Sequence, residues 1–345
     1  MIHSILAKGV RRGAVAALAA STIACATAAG AAQDLRLSTL GPGTSPYIVM
    51  NTFANIVNAE VEDYDIQVNA TGAATRHAVQ TARGDTHFFM SSPNLYHMMA
   101  TETGPYEGMQ GVGRLAENLR TVFNFPMGFY HAVTFADSGI ESYDDIKGKR
   151  VFLGPPGGAA QQSTSLLIEA ITGYQRDEDY EVVSLGWDAA AQSFQDGHID
   201  VYFNPTLPPS PVIEQIAMTN DIRLLGIPQE MGTAEALGPA VARAGFRLGE
   251  IPAGSYGEGQ VAAGDILTLA VTVGVVTNAD MPEEAIYEMT RAFWENIDAR
   301  AENLPLLQNI TLERALIDIN TPLHPGAQRY YEERGLEIPE AAKAE

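Results

Sequence analysis

Cysteine is all but missing from this chain, with one residue, Cys25, in 345. It lies in an apolar N-terminal run, so the rest of the chain has no disulfide, no thiol nucleophile and no cysteine metal ligand. Positive charge is scarce as well. Lys and Arg number 21 against 42 Asp and Glu, a formal net charge of −21, which makes nucleic acid and anionic membrane surfaces poor partners. Beyond the N-terminal run, nothing approaches the roughly 20 uninterrupted apolar residues that a membrane-spanning helix needs. Catalytic signatures are also lacking. The segment Pro155-Pro156-Gly157-Gly158-Ala159-Ala160 has no Gly-Lys-Ser/Thr ending, which excludes a nucleotide P-loop. There is no Gly-x-Ser-x-Gly nucleophile elbow. His77, His87 and His97 recur every ten residues, a spacing that matches no ligand geometry on a helix or a strand, so neither a metal nor a cofactor is expected.

At the N-terminus, Lys8, Arg11 and Arg12 precede an apolar run that ends in small residues up to Ala32. Residues 1–32 therefore read as a secretory signal peptide, with cleavage after Ala31 or Ala32. Arg11-Arg12 lacks the rest of a twin-arginine consensus, and Cys25 lacks the leucine that usually precedes a lipidated cysteine. The segment holds three basic and no acidic residues, so its removal takes the formal charge from −21 to −24. An exported, cysteine-free chain long enough for two cored domains fits a bacterial periplasm.

The remaining chain alternates strand and helix. Apolar strands are predicted over 35–40, 66–70 and 86–90, with helices over 46–59 and 74–83 between them. This order suits a parallel doubly wound α/β sheet, in which ligands bind at loops outside the C-terminal ends of strands. Three such loops, 41–47, 71–76 and 91–94, are rich in glycine and small hydroxyl residues. Residues 101–118 read as irregular and polar. Leu119–Phe135 reads as a long apolar strand interrupted by Pro126, a suitable passage into a second lobe. That lobe is predicted to hold strands over 150–153, 180–185, 201–203 and 222–227, a helix over 211–218 and a loop over 251–256. A β-branched strand over 266–277 and helices over 282–300 and 303–316 follow.

The stretch 139–160 organises the second lobe. A short helix, a turn at Gly148 and the strand 150–153 deliver a glycine-rich loop to a helix over 161–172. Such a junction presents backbone N–H groups and the positive end of a helix dipole, which suits an anionic group. An ordinary strand-to-helix turn remains the alternative.

Four spaced segments carry a family resemblance: Asp145-Ile146-Lys147-Gly148-Lys149-Arg150-Val151, Asp196-Gly197-His198-Ile199-Asp200, Ile251-Pro252-Ala253-Gly254-Ser255-Tyr256, and His324-Pro325-Gly326-Ala327-Gln328-Arg329-Tyr330-Tyr331. In order and spacing the chain resembles the TAXI class of substrate-binding receptors for TRAP transporters over residues 34–338. The resemblance implies a two-lobed type II periplasmic-binding-protein fold, each lobe a mainly parallel sheet flanked by helices, with the ligand cleft between them. It places the lobes at 33–125 plus 266–345 and at 126–265. It also implies a non-enzymatic receptor that hands a small ligand to an ion-coupled membrane permease. Glutamate-like amino acids and dicarboxylates are the associated ligands. The sequence departs from the family pattern at Ser45-Pro46-Tyr47, at Thr71-Gly72-Ala73-Ala74-Thr75-Arg76-His77, at Ser92-Pro93-Asn94 and at Gly157-Gly158-Ala159-Ala160, all of them positions where ligand would be touched.

Candidate ligand contacts are therefore Thr44, Ser45 and Tyr47 in the first loop, Thr71, Ala74, Thr75 and Arg76 in the second, and Ser91, Ser92 and Asn94 in the third. Pro126 at the lobe passage joins them. The second lobe contributes Gly158, Ala160, Gln161, Asn204, Thr206 and Tyr256, the last with core packing as its alternative. Lys147, Lys149 and Arg150 read as a solvated helix-turn face. A sensory receptor that presents its ligand to a signalling partner, or an enzyme on the same fold, are the alternative functions. Arg76 is the one strong cation at a predicted loop and is suited to a bidentate grip on a carboxylate or sulfonate. Arg76→Ala is expected to weaken binding of an anionic solute by about 1.5–3 kcal/mol; unchanged affinity in a calorimetric titration would remove Arg76 from the site.

Overall fold

The computed structural model describes residues 32–261 and 264–344, so the predicted signal peptide lies almost wholly outside the described residues. The chain runs β1 (Gln33–Ser38), α1 (Ser45–Glu60), β2 (Tyr64–Asn69), α2 (Ala74–Ala82), β3 (Phe88–Ser91), α3 (Pro93–Ala100), α4 (Val112–Ala116) and β4 (Leu119–Phe135). It continues through β5 (Arg150–Phe152), α5 (Ala159–Thr172), β6 (Glu181–Val182), α6 (Trp187–Gln195), β7 (Val201–Thr206), α7 (Pro211–Ala217), β8 (Ile222–Leu224) and α8 (Ala234–Leu237). The last elements are β9 (Phe246–Ile251), β10 (Ile266–Asn278), α9 (Glu283–Ala301) and α10 (Pro325–Glu333).

The described strands form one ten-stranded mixed sheet in the order β2-β1-β3-β10-β4-β7-β5-β6, with β8 also on β4 and β9 also on β10. At one end β1 pairs in parallel with β2 and β3, and at the other β5 pairs in parallel with β6 and β7. The expected α/β fold is thus present, with the two parallel sets joined through an antiparallel centre. That centre is β4 and β10, 17 and 13 residues long. The first half of β4 pairs with the second half of β10, from Leu119 opposite Asn278 to Phe129 opposite Ala270. Past that point β4 passes to β7 and β8, and β10 pairs with β9. Both strands therefore belong to both ends of the sheet.

Pro126 does not interrupt β4. It lies opposite Thr272 while Gly128 lies opposite Val271, so Met127 is the extra residue of a β-bulge. A bulge is one of the few places inside a sheet where a residue without an N–H is tolerated. Gly128 follows with φ +116, and a Cβ there would overlap the backbone carbonyl of Thr206 on β7. The bulge thus brings β4 against β7 closer than any side chain allows.

Around the crossing, aromatic rings fill the core. Phe123 stacks on Phe293 of α9 with centroids 4.4 Å apart, and Phe53 of α1 meets Phe88, Phe123 and Phe293 edge-on. On the other side, Tyr202 stacks on Phe152 and Phe194, with Trp187 edge-on to Phe152. Some elements differ from expectation. Residues 303–316 form 3-10 turns, Pro305–Asn309 and Leu312–Arg314, because Pro305 and the side chains of Asn309 and Thr311 favour turns over a continued helix. Residues 101–118 contain α4, and α3 and α10 each begin directly after a polar N-cap. The strand expected over 180–185 shrinks to two residues, and β9 arises in a glycine-containing stretch with no strand signal.

Two of the recurrent sequence motifs meet each other. The Arg150 guanidinium and backbone N–H donate to the Asp200 carboxylate at 2.6–3.0 Å, and Nη2 donates to the Gly197 carbonyl at 2.8 Å. Arg150 is thus half-buried in a structural pair, and Lys147 pairs with Asp179. His324 opens α10: its Nδ1 accepts from the Gly326 N–H at 3.2 Å, and its Nε2–H donates to the Met281 carbonyl at 2.9 Å. His131 on β4 is also fully committed. Its Nδ1–H donates to the Phe129 carbonyl at 2.9 Å, so Nε2 accepts from the Tyr256 hydroxyl at 2.8 Å. Burial depresses both imidazoles from 6.5 to about 4.

Two outcomes follow from this construction. Gly128→Ala should cost at least about 1–3 kcal/mol of stability through overpacking at a positive φ; a wild-type urea midpoint for the variant would refute the close approach. His131 and His324 stay neutral in the native state while the unfolded chain takes up protons below pH 6.5. Stability should therefore hold above pH 6.5 and fall by about 1.4 kcal/mol per pH unit per histidine toward pH 4. Equal urea midpoints at the two ends of that window would contradict the neutral assignment.

Candidate ligand cleft

The loops after β1, β2, β3 and β5, and the loop before α6, all end at helix N-termini, where the first-turn N–H groups have no partner within the helix. In α1 and α3 the chain supplies its own cap, since Thr44 accepts from the Tyr47 N–H at 3.4 Å and Ser92 from the Leu95 N–H at 3.1 Å. In α2, α5 and α6 the N-cap residues are Ala73, Gly158 and Gly186, and none makes a side-chain cap. Alanine and glycine have no oxygen to offer. These three helices converge with α3 on one cavity.

The cavity has a volume of about 60 Å³. Leu40, Ala73, Ala74, Met90, Ser92 and Leu95 line one side, and Pro155, Gly158, Ala159, Ala160, Trp187 and Phe246 the other. The crossing strands contribute Met127, Tyr130, Val271 and Val273. Apart from backbone amides, the Ser92 hydroxyl and the Tyr130 phenol, the wall is apolar. A wider cleft of about 700 Å³ shares Gly72, Ala73, Pro155 and Trp187 with this cavity and adds Thr71, Thr75, Arg76 and Asp188.

Arg76 is exposed, and its guanidinium makes no hydrogen bond or ion pair among the described residues. Its guanidinium lies over Gly72, whose φ of +94 and absent Cβ leave room for it. His77 behind it is buried, and its Nε2–H donates to the Thr71 carbonyl at 2.8 Å. Burial, with the Arg76 charge beside it, lowers the imidazole below its usual range, so His77 serves as a neutral strut for the loop. Across the wider cleft, partial desolvation raises the Asp188 carboxyl.

Of the sequence-derived candidates, Thr71, Ala74, Thr75, Arg76, Ser92, Gly158 and Ala160 stand on the walls of these two spaces. The others are engaged elsewhere. Thr44 is a helix cap, and the Ser45 hydroxyl donates a short bond to the Met127 carbonyl. Ser91 and Asn94 are buried and turn to Ser92 and Met98. Gln161 accepts from the Gly157 N–H at 3.3 Å and so closes the glycine loop. Asn204 donates to the Gly43 carbonyl at 3.2 Å and to the Tyr202 hydroxyl at 3.1 Å. Thr206 lies against Gly128, Pro126 sits in the bulge, and Tyr47 is half-buried outside both spaces. Tyr256 is held in the core by His131 and by the Ser210 N–H.

Sequence reading missed Trp187, Phe246, Tyr130, Met127 and Met90. Trp187 begins α6, in a segment for which no helix was predicted, and Phe246 belongs to the unread β9. Tyr130 and Met127 lie in an unbroken apolar run, where alternation cannot show which side chains face a cavity. Among the described residues no cluster of three metal-ligating side chains occurs, and no helix is long and apolar enough to cross a membrane.

An α/β chain whose sheet is crossed by two long antiparallel strands, with helix N-termini gathered at a cleft, is the architecture in hand. Residues 37–335 match the model of the NMT1-like family, and the chain belongs to that family. Among solved structures it is similar to the alkanesulfonate-binding protein SsuA from Xanthomonas axonopodis pv. citri bound to MOPS. That match has 12% identity over 88% of this chain and 94% of the other, with a TM-score of 0.47. It is similar too to a TRAP periplasmic solute binding protein from Chromohalobacter salexigens with bound D-glucuronate (13%, 87% and 84%, 0.44). A third is the periplasmic aliphatic sulphonate binding protein SsuA from Escherichia coli (14%, 87% and 78%, 0.41).

Proposed function

We propose that this protein is a periplasmic solute receptor of a TRAP transporter of the TAXI type, which captures a small organic anion and delivers it to a membrane permease. The observation that carries this reading is the cavity itself. Three helices whose N-caps offer no side-chain acceptor end on one largely apolar space. A bound anion supplies the acceptor that Ala73, Gly158 and Gly186 lack, in the favourable field of three helix dipoles. Arg76 adds an exposed cation at the wider cleft. Lobes at 33–125 plus 266–345 and at 126–265 close by bending at the bulge of β4, where Met127 is inserted opposite the step from Val271 to Thr272 on β10. Ligand contacts to both walls then favour the closed form by the difference in their strength between the two states. The reading assigns the protein no catalytic role.

A thermal-shift screen against monocarboxylates, dicarboxylates, amino acids, sulfonates and neutral sugars tests the reading. A true ligand at a hundred times its dissociation constant adds about 2.7 kcal/mol of stability, and Trp187 fluorescence should change at the same concentrations. Stabilisation by neutral sugars alone would overturn the anionic assignment.

A further inference from the structure

Of the residues that line the cavity and the wider cleft, Arg76 and Asp188 alone carry a charge, and both face the wider cleft. Their signs are opposite, yet neither forms an ion pair, with the other or with any charge among the described residues. Arg76 lies over Gly72 at the loop after β2. Asp188 stands in the first turn of α6, and its carboxylate turns to the loop after β1. There Oδ1 is 3.5 Å from the place a Cβ would take at Gly41. Partial burial raises the Asp188 carboxyl, and no cation or hydrogen bond offsets that effect. Elsewhere the chain joins such groups to each other, as in Arg150 with Asp200 and Arg247 with Asp318.

An acid without a second charge makes poor use of this arrangement. It gains from Arg76 and the bare helix N-termini, but it brings its charge toward the Asp188 carboxylate, and like charges at close range are unfavourable. A solute that carries a cationic centre beside its carboxylate has a partner for each free side chain. The two spaces share Gly72, Ala73, Pro155 and Trp187, so a molecule seated at that rim reaches both. Behind the rim the cavity has no charged wall and is small, about 60 Å³. Such a space favours a short hydrocarbon group, which gains by leaving water.

Resting on the receptor reading above, we propose that the solute is a zwitterionic α-amino acid with a hydrocarbon side chain, and that Asp188 receives its ammonium group. The carboxylate meets the bare first turns at the rim, with Arg76 beside it. The ammonium group points outward to Asp188, and the side chain enters the cavity between Met90, Leu95 and Val273. The organic anion of the receptor reading is thereby narrowed to an acid that carries its own cation, and Asp188 becomes the residue that selects it.

The test uses L-leucine and three relatives: 4-methylpentanoate, which lacks the ammonium group, 3-methylbutylamine, which lacks the carboxylate, and L-asparagine, which has a polar side chain of similar shape. Wild type and Asp188→Asn are compared by calorimetry and thermal shift. Wild type should bind leucine about tenfold or more tightly than any of the other three. Asp188→Asn should lose about tenfold in leucine affinity, with 4-methylpentanoate bound as before or more tightly, so that the preference between the two disappears. Unchanged leucine affinity in the variant would overturn the assignment of Asp188. So would an equal loss for both ligands, which would make Asp188 a contact between the walls and not an ammonium acceptor. In wild type, 4-methylpentanoate or 3-methylbutylamine binding as tightly as leucine would overturn the zwitterion, and asparagine doing so would overturn the hydrocarbon side chain. Each of these results leaves the receptor reading standing. No shift with any of the four overturns the amino-acid class, and the receptor reading is then judged by the wider screen. If Asp188→Asn shows no cooperative unfolding, Asp188→Ser is read by the same criteria.

Discussion

The antiparallel pairing of β4 with β10 is the constraint on which the rest of the molecule depends. Each strand is long enough to serve both ends of the sheet, so two parallel βα sets that would otherwise need separate cores share one continuous ladder. The bulge at Met127 and the close approach at Gly128 decide where the ladder changes partners. The same bulge aims Met127 and Tyr130 at the cavity and leaves the Met127 carbonyl for Ser45 on α1. Fold and site are therefore not separable at this point. The residues that turn the sheet also floor the cleft.

The motifs most visible in the sequence turn out to build scaffold. Arg150 and Asp200 tie β5 to the turn before β7, with Gly197 contributing a carbonyl. His324, Pro325 and Gly326 seat α10 on α9, where a Cβ at Gly326 would overlap the Glu283 carbonyl. Polar residues that satisfy buried backbone groups have few tolerable substitutes, which is why such segments stand out. The cavity wall is built of the opposite material. Methionine, valine, alanine and aromatic side chains tolerate exchange at similar volume, and they leave little trace in a single sequence.

This contrast explains what could be read in advance. The ends of β4 were legible to the residue, because a long apolar run is bounded by polar turns, while α1 was legible from its cap and periodicity and α2 from its place between two strands. The glycine-rich junction before α5 was recognisable because its backbone demands are local. Facing, by contrast, is a tertiary property. Nothing local tells that Tyr130 points to a cavity while His131 beside it binds Tyr256 across 125 residues of chain, or that Asn204 is spent on the Gly43 carbonyl.

The bare N-caps of α2, α5 and α6 have one more implication. In most helices the capping oxygen belongs to the preceding residue and is covalently guaranteed. Here three first turns have been left to be finished by whatever enters the cleft, so a bound solute would act as a shared capping group donated from solution. The helices at the cleft would then be incomplete as secondary structure until the solute arrives. Occupancy would be written into the backbone amides of residues 74–75, 159–161 and 187–189 before any domain motion is considered.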